Sequence, residues 1–313
     1  RRADFGQAGR VKMTSKSIRI GGASGYWGDS AVATPQLLEK GDLDYIVYDY
    51  LAEVTLSIMA RARAKDANLG YATDFITSAL KQNLPVIAQQ GVKVIANAGG
   101  VNPQACGEAA RALIADMGLD LTVAVVMGDD LLEQNDLDLS SATEMFSGET
   151  FPEAESIVSV NAYLGAFPIA KALSAGADIV ITGRSVDSAV TLGACIYEFG
   201  WHPNDWNQLS GGTLAGHIIE CGTQATGGNF TDWEQVVNSL DQAGYPIAQV
   251  SADGSFDVLK PANTGGMVSV GTVSEQMLYE IGDPQAYLMP DVVCDFSQVR
   301  ISQVADNKVN VSG

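Results

Sequence analysis

The sequence predicts an α/β fold: a three-layer parallel sheet with helical crossovers, followed by a smaller α+β region with antiparallel strands. Three observations support this prediction. Short apolar runs alternate with segments of helical periodicity over the first two thirds of the chain. Small and polar residues follow each apolar run. After about Thr226, hairpin turn signals replace the helical segments.

Five apolar runs are predicted to form the parallel strands. Their hydrophobicity is continuous and does not alternate, which is typical of strands covered by helices on both faces. The runs span residues 17–20, 44–48, 93–96, 121–126 and 178–182. Because ligands of such sheets bind at the carboxyl ends of the strands, we expect the functional residues at that edge.

The segments between these runs carry apolar residues three and four positions apart, which predicts crossover helices. Pro103 stands at a first helical turn, and Gly176 and Gly200 stand where helices stop. Helices are predicted over residues 102–117, 161–175 and 188–199, and a further helix begins after Gly212.

The last part of the chain has the short runs and turns of antiparallel strands. Strands are predicted over residues 245–251, 256–259, 268–273, 292–296 and 299–311, with turns at Asp253–Gly254 and Asp306–Asn307. We expect this region to pack on the first layer. The predicted organisation is a tag remnant or disordered arm over residues 1–12, a core domain over 13–225 and a smaller region over 226–313.

Composition excludes several classes of protein. A net charge of −19, from 37 acidic and 18 basic residues, argues against a nucleic-acid partner, which requires a concentrated positive surface. No apolar run approaches the roughly 20 residues that span a bilayer, so no membrane partner is expected. The four cysteines are widely spaced and predict free thiols in a reducing cytoplasm. A small-molecule acyl substrate is the expected partner.

Carboxylates follow two of the predicted strands. Asp49 and Glu53 follow the second strand, and Asp129 and Asp130 follow the fourth. Such groups can act as a general base or bind a hard cation such as Mg²⁺. The alternative is that one of them caps a helix and the others are solvated. We predict catalytic roles for Asp49, Glu53 and Asp130.

His217 and Glu220 lie three residues apart and share one helical face. They fall short of the HExxH pattern of zinc enzymes, so no metal ligands are assigned and the cofactor is left open. His217 is the better acid–base candidate of the two histidines in the chain, although a single histidine is often structural. We predict that both residues are catalytic.

Three further segments are predicted to bind the substrate. The glycine-rich segment 21–28 exposes backbone N–H groups to an anion or a thioester, or is a purely structural turn. The small residues after the third strand indicate close approach of a ligand or a neighbouring backbone. Arg184 suits a carboxylate or phosphate, unless it forms a structural pair with Asp187. The predicted binding residues are Gly22, Ser24, Gly25, Asn97, Gly99, Gly100, Arg184 and Asp187.

Several motifs together resemble the acyclic terpene utilisation AtuA family. They are GGASGYWGD after the first strand, DYLAE after the second, NAGG after the third, AGADIVITGRSVDS around the fifth, and GHIIECGTQATGGNF. The similarity runs from about residue 17 to beyond 290. It implies a role in bacterial breakdown of citronellol- and geraniol-type terpenes through CoA thioesters. Family members are usually longer, often with a further C-terminal segment or a small ferredoxin-like companion domain, so truncation of the region 226–313 is one reading.

The sequence therefore favours an enzyme that acts on a branched acyl-CoA or related carboxylate by hydration, dehydration or carbon–carbon cleavage. No nicotinamide, flavin or phosphate-loop fingerprint and no nucleophile elbow appears, which favours lyase chemistry. The alternative is a non-catalytic acyl-CoA-binding or scaffold subunit that needs a partner, and a weaker one is a dinucleotide-dependent oxidoreductase. A homo-oligomer, with a small companion subunit or domain, is the expected assembly.

Overall fold

The computed structural model describes residues 16–29, 31–132, 139 and 141–313. The predicted arm over residues 1–12 lies outside them. The strands of the described part are β1 (Ser17–Gly22), β2 (Tyr45–Tyr48), β3 (Lys93–Gly100), β4 (Val123–Val126), β5 (Ile179–Gly183), β6 (Ile247–Ser251), β7 (Phe256–Leu259), β8 (Tyr287–Leu288), β9 (Val293–Cys294), β10 (Arg300–Ala305) and β11 (Lys308–Ser312). Its α-helices are α1 (Ala33–Lys40), α2 (Glu53–Lys65), α3 (Lys81–Gln90), α4 (Pro103–Asp116), α5 (Phe167–Ser174), α6 (Ala189–Phe199), α7 (Trp206–Ile219) and α8 (Val270–Leu278).

Nine strands form one mixed sheet in the order β10-β11-β7-β6-β1-β2-β3-β5-β4. The strands from β1 to β4 in that order are parallel, and β6, β7, β11 and β10 extend the sheet with antiparallel pairing. The predicted α/β class, with a parallel sheet and a smaller antiparallel region, is confirmed. The antiparallel strands add to the edge of the sheet instead of packing on its face, because β6 covers the backbone groups that β1 would otherwise expose.

Helices cover both faces of the sheet. Buried side chains of α1, α2, α3 and α4 pack on one face. Those of α5, α6, α7 and α8 pack on the other. Successive residues of β2 alternate between these two cores, with Ile46 and Tyr48 in the first and Tyr45 and Val47 in the second. This arrangement explains the continuous apolar runs and gives the three predicted layers.

Several predicted elements differ from the observed ones. The predicted helix over 161–175 forms only as α5, because the residues before it make bridges at Asn161 and Leu164. The predicted strand over 268–273 is wrong: Ser269 and Thr272 form a capping box that starts α8. Helices α1, α2 and α3, together with the π-helix Phe75–Leu80, were not predicted. The hairpin turn between β10 and β11 and all five parallel strands agree with the prediction.

Gly22 marks a close contact between β1 and the end of α7, so Gly22→Ala is expected to destabilise the fold by about 2 kcal/mol. A Cβ atom there would lie 2.2 Å from the carbonyl oxygen of Ile219. Gly282→Ala is the matched control, since a Cβ atom at Gly282 would meet nothing within 4 Å. Equilibrium denaturation measures both changes. Equal, small losses in the two variants would contradict this contact.

Candidate functional site

The candidate site lies at the carboxyl ends of the parallel strands, beside the C-terminal end of α7. Asp49 follows β2, Asn97 lies in β3, Arg184 follows β5, and Glu220 follows α7. The strands bring residues far apart in sequence to one edge of the sheet, and α7 adds the last residue from the helical layer. The residues predicted at the strand ends and the pair predicted on the helix therefore lie in one site.

Three carboxyl groups form the centre of the site. One ligand oxygen from each of Asp49, Asp187 and Glu220 lies within 4.8 Å of the others. Asp49 and Glu220 are each only 6% exposed. Oxygen ligands at this spacing are those that Mg²⁺ or Ca²⁺ uses, so this trio is the set that can hold a divalent cation.

Burial makes these three groups resist ionisation. Desolvation raises the pKa of Asp49 well above its ordinary value, and the charges of Asp187 and Glu220 raise it further. Desolvation also raises the pKa of Asp187, although Arg184 opposes this shift. Burial raises the pKa of Glu220 to about 7, although His217 lowers it. A carboxyl group with a pKa near neutrality can both donate and accept a proton.

His217 orients Glu220 from within the same helix. Its Nδ1 atom lies 3.0 Å from Oε1 of Glu220, and its side chain is 1% exposed. Burial lowers the pKa of His217, but the neighbouring Glu220 outweighs burial and the net shift is upward. The imidazole therefore acts as a charged or hydrogen-bonding partner of the carboxyl group.

Asn97 orients Asp49 in the same way. Its Nδ2 atom donates to Oδ1 of Asp49, and its Oδ1 atom accepts from the backbone N–H of Tyr50 at 2.7 Å. The side chain is fully buried. Asn97 was predicted to bind substrate, and both polar ends of its side chain are engaged within the protein.

Arg184 is held on several sides. Its Nη1 atom donates to the carbonyl oxygen of Leu51 at 3.0 Å and to Oδ1 of Asp187 at 2.7 Å. Its Nη2 atom lies 3.5 Å from Oε1 of Glu53. The guanidinium also stacks over the ring of Tyr163, 4.0 Å from the centroid. The Arg184–Asp187 pair that the sequence left open is present.

A cavity of about 320 Å³ opens above these residues, near the lower end of the roughly 300–1,000 Å³ of small-molecule sites. Its walls come from the loop after β2, the loop after β5 and the region around β8. It is lined by Leu51, Ala52, Glu53, Tyr163, Arg184, Val186, Asp187, Glu280, Tyr287 and Met289.

Asp130 does not line this cavity. It is partly exposed and pairs with Arg63 at 3.2 Å. Asp129 is buried and accepts hydrogen bonds from the backbone N–H of Arg184 and from Asn161. Asp129 thus supports the loop that carries Arg184, while the catalytic role predicted for Asp130 stays a prediction.

The predicted glycine segment packs against the end of α7. A Cβ atom at Gly25 would lie 2.8 Å from the backbone carbon of Cys221, and the space beside Gly22 is filled by Ile219. The hydroxyl of Ser24 donates to the carbonyl oxygens of Tyr26 and Asp49. These contacts join the segment to the site, and its binding of substrate stays a prediction.

Gly99 and Gly100 allow close packing of β3. A Cβ atom at Gly99 would lie 2.5 Å from the carbonyl oxygen of Thr182 in β5. Gly100 has a φ of +54° and lies against Met59 of α2. This agrees with the neighbouring-backbone alternative of the sequence analysis, and their role toward a ligand stays a prediction.

Sequence reasoning missed three polar residues that line the cavity: Tyr163, Glu280 and Tyr287. Tyr163 donates a hydrogen bond from its hydroxyl to Glu53. Glu280 and Tyr287 belong to the region after residue 225, which carried no motif that pointed to the site. Tyr287 packs against the core and Glu280 is exposed, and only the fold brings both to the cavity.

The family model of the acyclic terpene utilisation family protein AtuA matches residues 18–313. The chain belongs to the AtuA family. Comparisons with the curated proteins and with the solved structures found no match. Family membership places this AtuA protein in acyclic terpene utilisation. None of the described helices is both long and apolar enough to cross a membrane.

The thermal midpoint of this AtuA protein is expected to fall as the pH rises from about 5 to about 8. The folded state binds the proton of Glu220 more tightly than the unfolded chain, because its pKa rises from 4.5 to about 7. This contribution is complete below pH 4.5 and is lost as the pH passes about 7. The raised pKa of His217 acts in the same direction. Scanning calorimetry against pH measures the slope.

Two variants test the origin of this slope. Glu220→Gln removes the titrating carboxyl group, so its midpoint should decline less steeply than that of the native protein. Glu108→Gln, which changes an exposed glutamate of α4, should leave the slope as it is. The same slope in all three proteins would refute the assignment to Glu220.

Proposed function

We propose that this AtuA protein is an enzyme that adds or removes water at, or cleaves a carbon–carbon bond in, a branched acyl-CoA thioester or a related carboxylate. The observation that carries the proposal is the cluster of Asp49, Asp187 and Glu220, of which Asp187 lines a substrate-sized cavity and Glu220 has a pKa of about 7. Proton transfer from such groups contributes about 10²- to 10⁴-fold to rates.

Proton transfer would pass through Asp187 and Glu220. Asp187 lines the cavity and is the member of the trio that a substrate can contact directly. Glu220 lies behind it, within reach for exchange of a proton, and is oriented by His217. Asp49, held by Asn97, is the third member of the carboxyl cluster and does not line the cavity. Glu53 at the rim holds Arg184 and Tyr163 in place.

In dehydration, an ionised carboxylate would take a proton from the carbon next to the thioester carbonyl. A protonated carboxyl would give a proton to the leaving hydroxyl, which departs as water, and hydration is the reverse. In carbon–carbon cleavage, the carboxylate would take the hydroxyl proton, the adjacent carbon–carbon bond would break, and the resulting enolate would receive a proton from a carboxyl group. Each route uses one acid and one base, which the trio supplies.

Besides transferring protons directly, the trio could act by holding a divalent cation. Mg²⁺ held by Asp49, Asp187 and Glu220 would polarise a substrate oxygen as a Lewis acid. The assay below therefore includes Mg²⁺. Cation binding would compete with protonation of the trio, so it should tighten as the pH rises.

Thermal stability and turnover should be measured with branched and linear acyl-CoA thioesters, free CoA and NAD(P), each with and without Mg²⁺. A ligand that binds only the native state raises the midpoint. A selective rise with a branched thioester, together with its conversion, supports the enzyme. A rise of the thermal midpoint without conversion of the thioester would favour a binding subunit, if conversion is also absent when candidate partner proteins are added. A response to NAD(P) alone would favour an oxidoreductase.

A further inference from the structure

The polar groups that line the cavity are predominantly acidic. Glu53, Asp187 and Glu280 contribute carboxyl groups to its walls. Glu53 keeps its negative charge, because the hydrogen bond from Tyr163 lowers its pKa. Burial instead raises the pKa of Asp187 and of its neighbours Asp49 and Glu220, so these three add less negative charge. Arg184 is the basic member of the lining. An anion that entered this cavity would therefore meet the carboxylates of Glu53 and Glu280 against the single guanidinium of Arg184.

Arg184 cannot offset this charge for a ligand. Its two terminal nitrogens already bond to Leu51, Asp187 and Glu53. Its Nε atom has no partner among the described residues, but it is buried away from the cavity surface. The ring of Tyr163 covers one face of the guanidinium. A substrate carboxylate would have to displace these contacts, although the sequence analysis expected Arg184 to receive it.

Tyr287 offers a different contact. Its ring is held between His217 and Phe296, at centroid distances of 6.0 and 5.7 Å. It lines the cavity, and no hydrogen bond joins its hydroxyl to the described part of the chain. The other tyrosine of the lining, Tyr163, already donates to Glu53. Tyr287 is thus the lining tyrosine whose hydroxyl is free to donate.

The surroundings of Tyr287 keep this hydroxyl a donor. Burial raises its pKa, and the charges of Glu220 and Asp187 raise it further. The phenol is therefore neutral at pH 7.5. A neutral donor in an acidic cavity matches an uncharged acceptor, because a carbonyl oxygen accepts the hydrogen bond without the repulsion that a carboxylate would meet.

Resting on the proposed function, we infer that the cavity takes its acyl group as an uncharged thioester, whose carbonyl oxygen accepts a hydrogen bond from Tyr287, and that the acidic wall excludes the free carboxylic acid in its ionised form. The substrate class is then the thioester alone, and not the carboxylate that the broader proposal also allowed.

Isothermal titration calorimetry at pH 7.5 on the full chain tests this inference. The two probes are the S-methyl thioester of 3-methylbut-2-enoic acid and the free acid, which share one branched acyl group and differ in charge and in a single SCH3 group. We expect the thioester to bind at least about tenfold more tightly than the acid. Tyr287→Phe should weaken thioester binding about 3- to 10-fold, as the loss of one neutral hydrogen bond does.

Two further variants sharpen the test. Glu280→Gln neutralises a carboxylate of the cavity wall. It should strengthen binding of the free acid about fivefold and so reduce the preference for the thioester over the acid. Tyr197→Phe changes a partly exposed tyrosine of α6 that does not line the cavity, and should leave both affinities as they are. Thermal midpoints near the native value show that each variant is folded.

The outcomes separate the inference from the proposed function. Equal or tighter binding of the acid, an unchanged preference in Tyr287→Phe, or no binding of either probe would overturn the inference. Conversion of the acid at the native rate would overturn it as well, while leaving the enzyme in place. Selective thioester binding that depends on Tyr287 supports the inference even if no turnover follows, in which case the proposed function fails alone.

Discussion

Glu220→Gln is expected to lower turnover of the branched acyl thioester by roughly 100-fold or more. Glutamine keeps the shape of the side chain and can still bond to His217, but it can neither accept nor deliver the proton. Steady-state kinetics against pH measures the loss. The activity limb that titrates near pH 7 in the native protein should disappear, since the pKa of Glu220 is about 7.

Glu108→Gln is the matched control for this change. Glu108 is an exposed glutamate of α4 that bonds to Gln104, and it does not line the cavity. Its turnover should equal that of the native protein. A Glu220→Gln variant that keeps native turnover and a native pH profile would remove Glu220 from the mechanism and leave Asp187 as the acid–base group to examine.

Arg184→Met is expected to destabilise the fold by about 1–3 kcal/mol, because it leaves the buried carbonyl of Leu51 and the partly exposed carboxyl of Asp187 without their donor. The Arg184 side chain is 4% exposed, and it bonds to the carbonyl of Leu51 as well as to Asp187. Methionine fills much of the volume but leaves both acceptors without their donor. Denaturant unfolding measures this loss. The slope of the free energy of unfolding against denaturant concentration should stay as in the native protein, while the midpoint falls.

Arg63→Met provides the comparison. Arg63 pairs with Asp130 and also donates to the carbonyl oxygen of Val101 at 2.6 Å. Both side chains of the pair are about 40% exposed, so water can replace much of what is lost. The expected loss is about 1 kcal/mol or less. If Arg184→Met cost no more than Arg63→Met, the buried contacts of Arg184 would not hold the loops of the site together.

Much of the site could be predicted from strand ends. Asp49, Asn97 and Arg184 were placed correctly at one edge because parallel strands all end there. The pairing of His217 with Glu220 followed from helical spacing alone. These predictions succeeded because they depend on backbone geometry that is local or that repeats through the sheet.

Other features could not be read in this way. Asp49 and Asp130 both follow parallel strands, yet only Asp49 joins the trio, because the order of strands in the sheet places β4 at its far edge. Ser269 and Thr272 lie in an apolar stretch that suggested a strand, and their capping hydrogen bonds begin a helix instead. Tyr287 and Glu280 reach the cavity from a region without a motif.

The sequence by itself determined the α/β class, the five parallel strands, the family and most of the polar residues at the strand ends, because apolar periodicity and turn chemistry are local properties of the chain. Only the tertiary structure decided which carboxyl groups meet, that Arg184 is occupied by protein contacts, and that Tyr287 faces the cavity. Those outcomes depend on the order of the strands and on the packing of α7 and the C-terminal region. Burial within that packing then sets the pKa of each carboxyl group. Proximity and desolvation arise only when the layers are assembled.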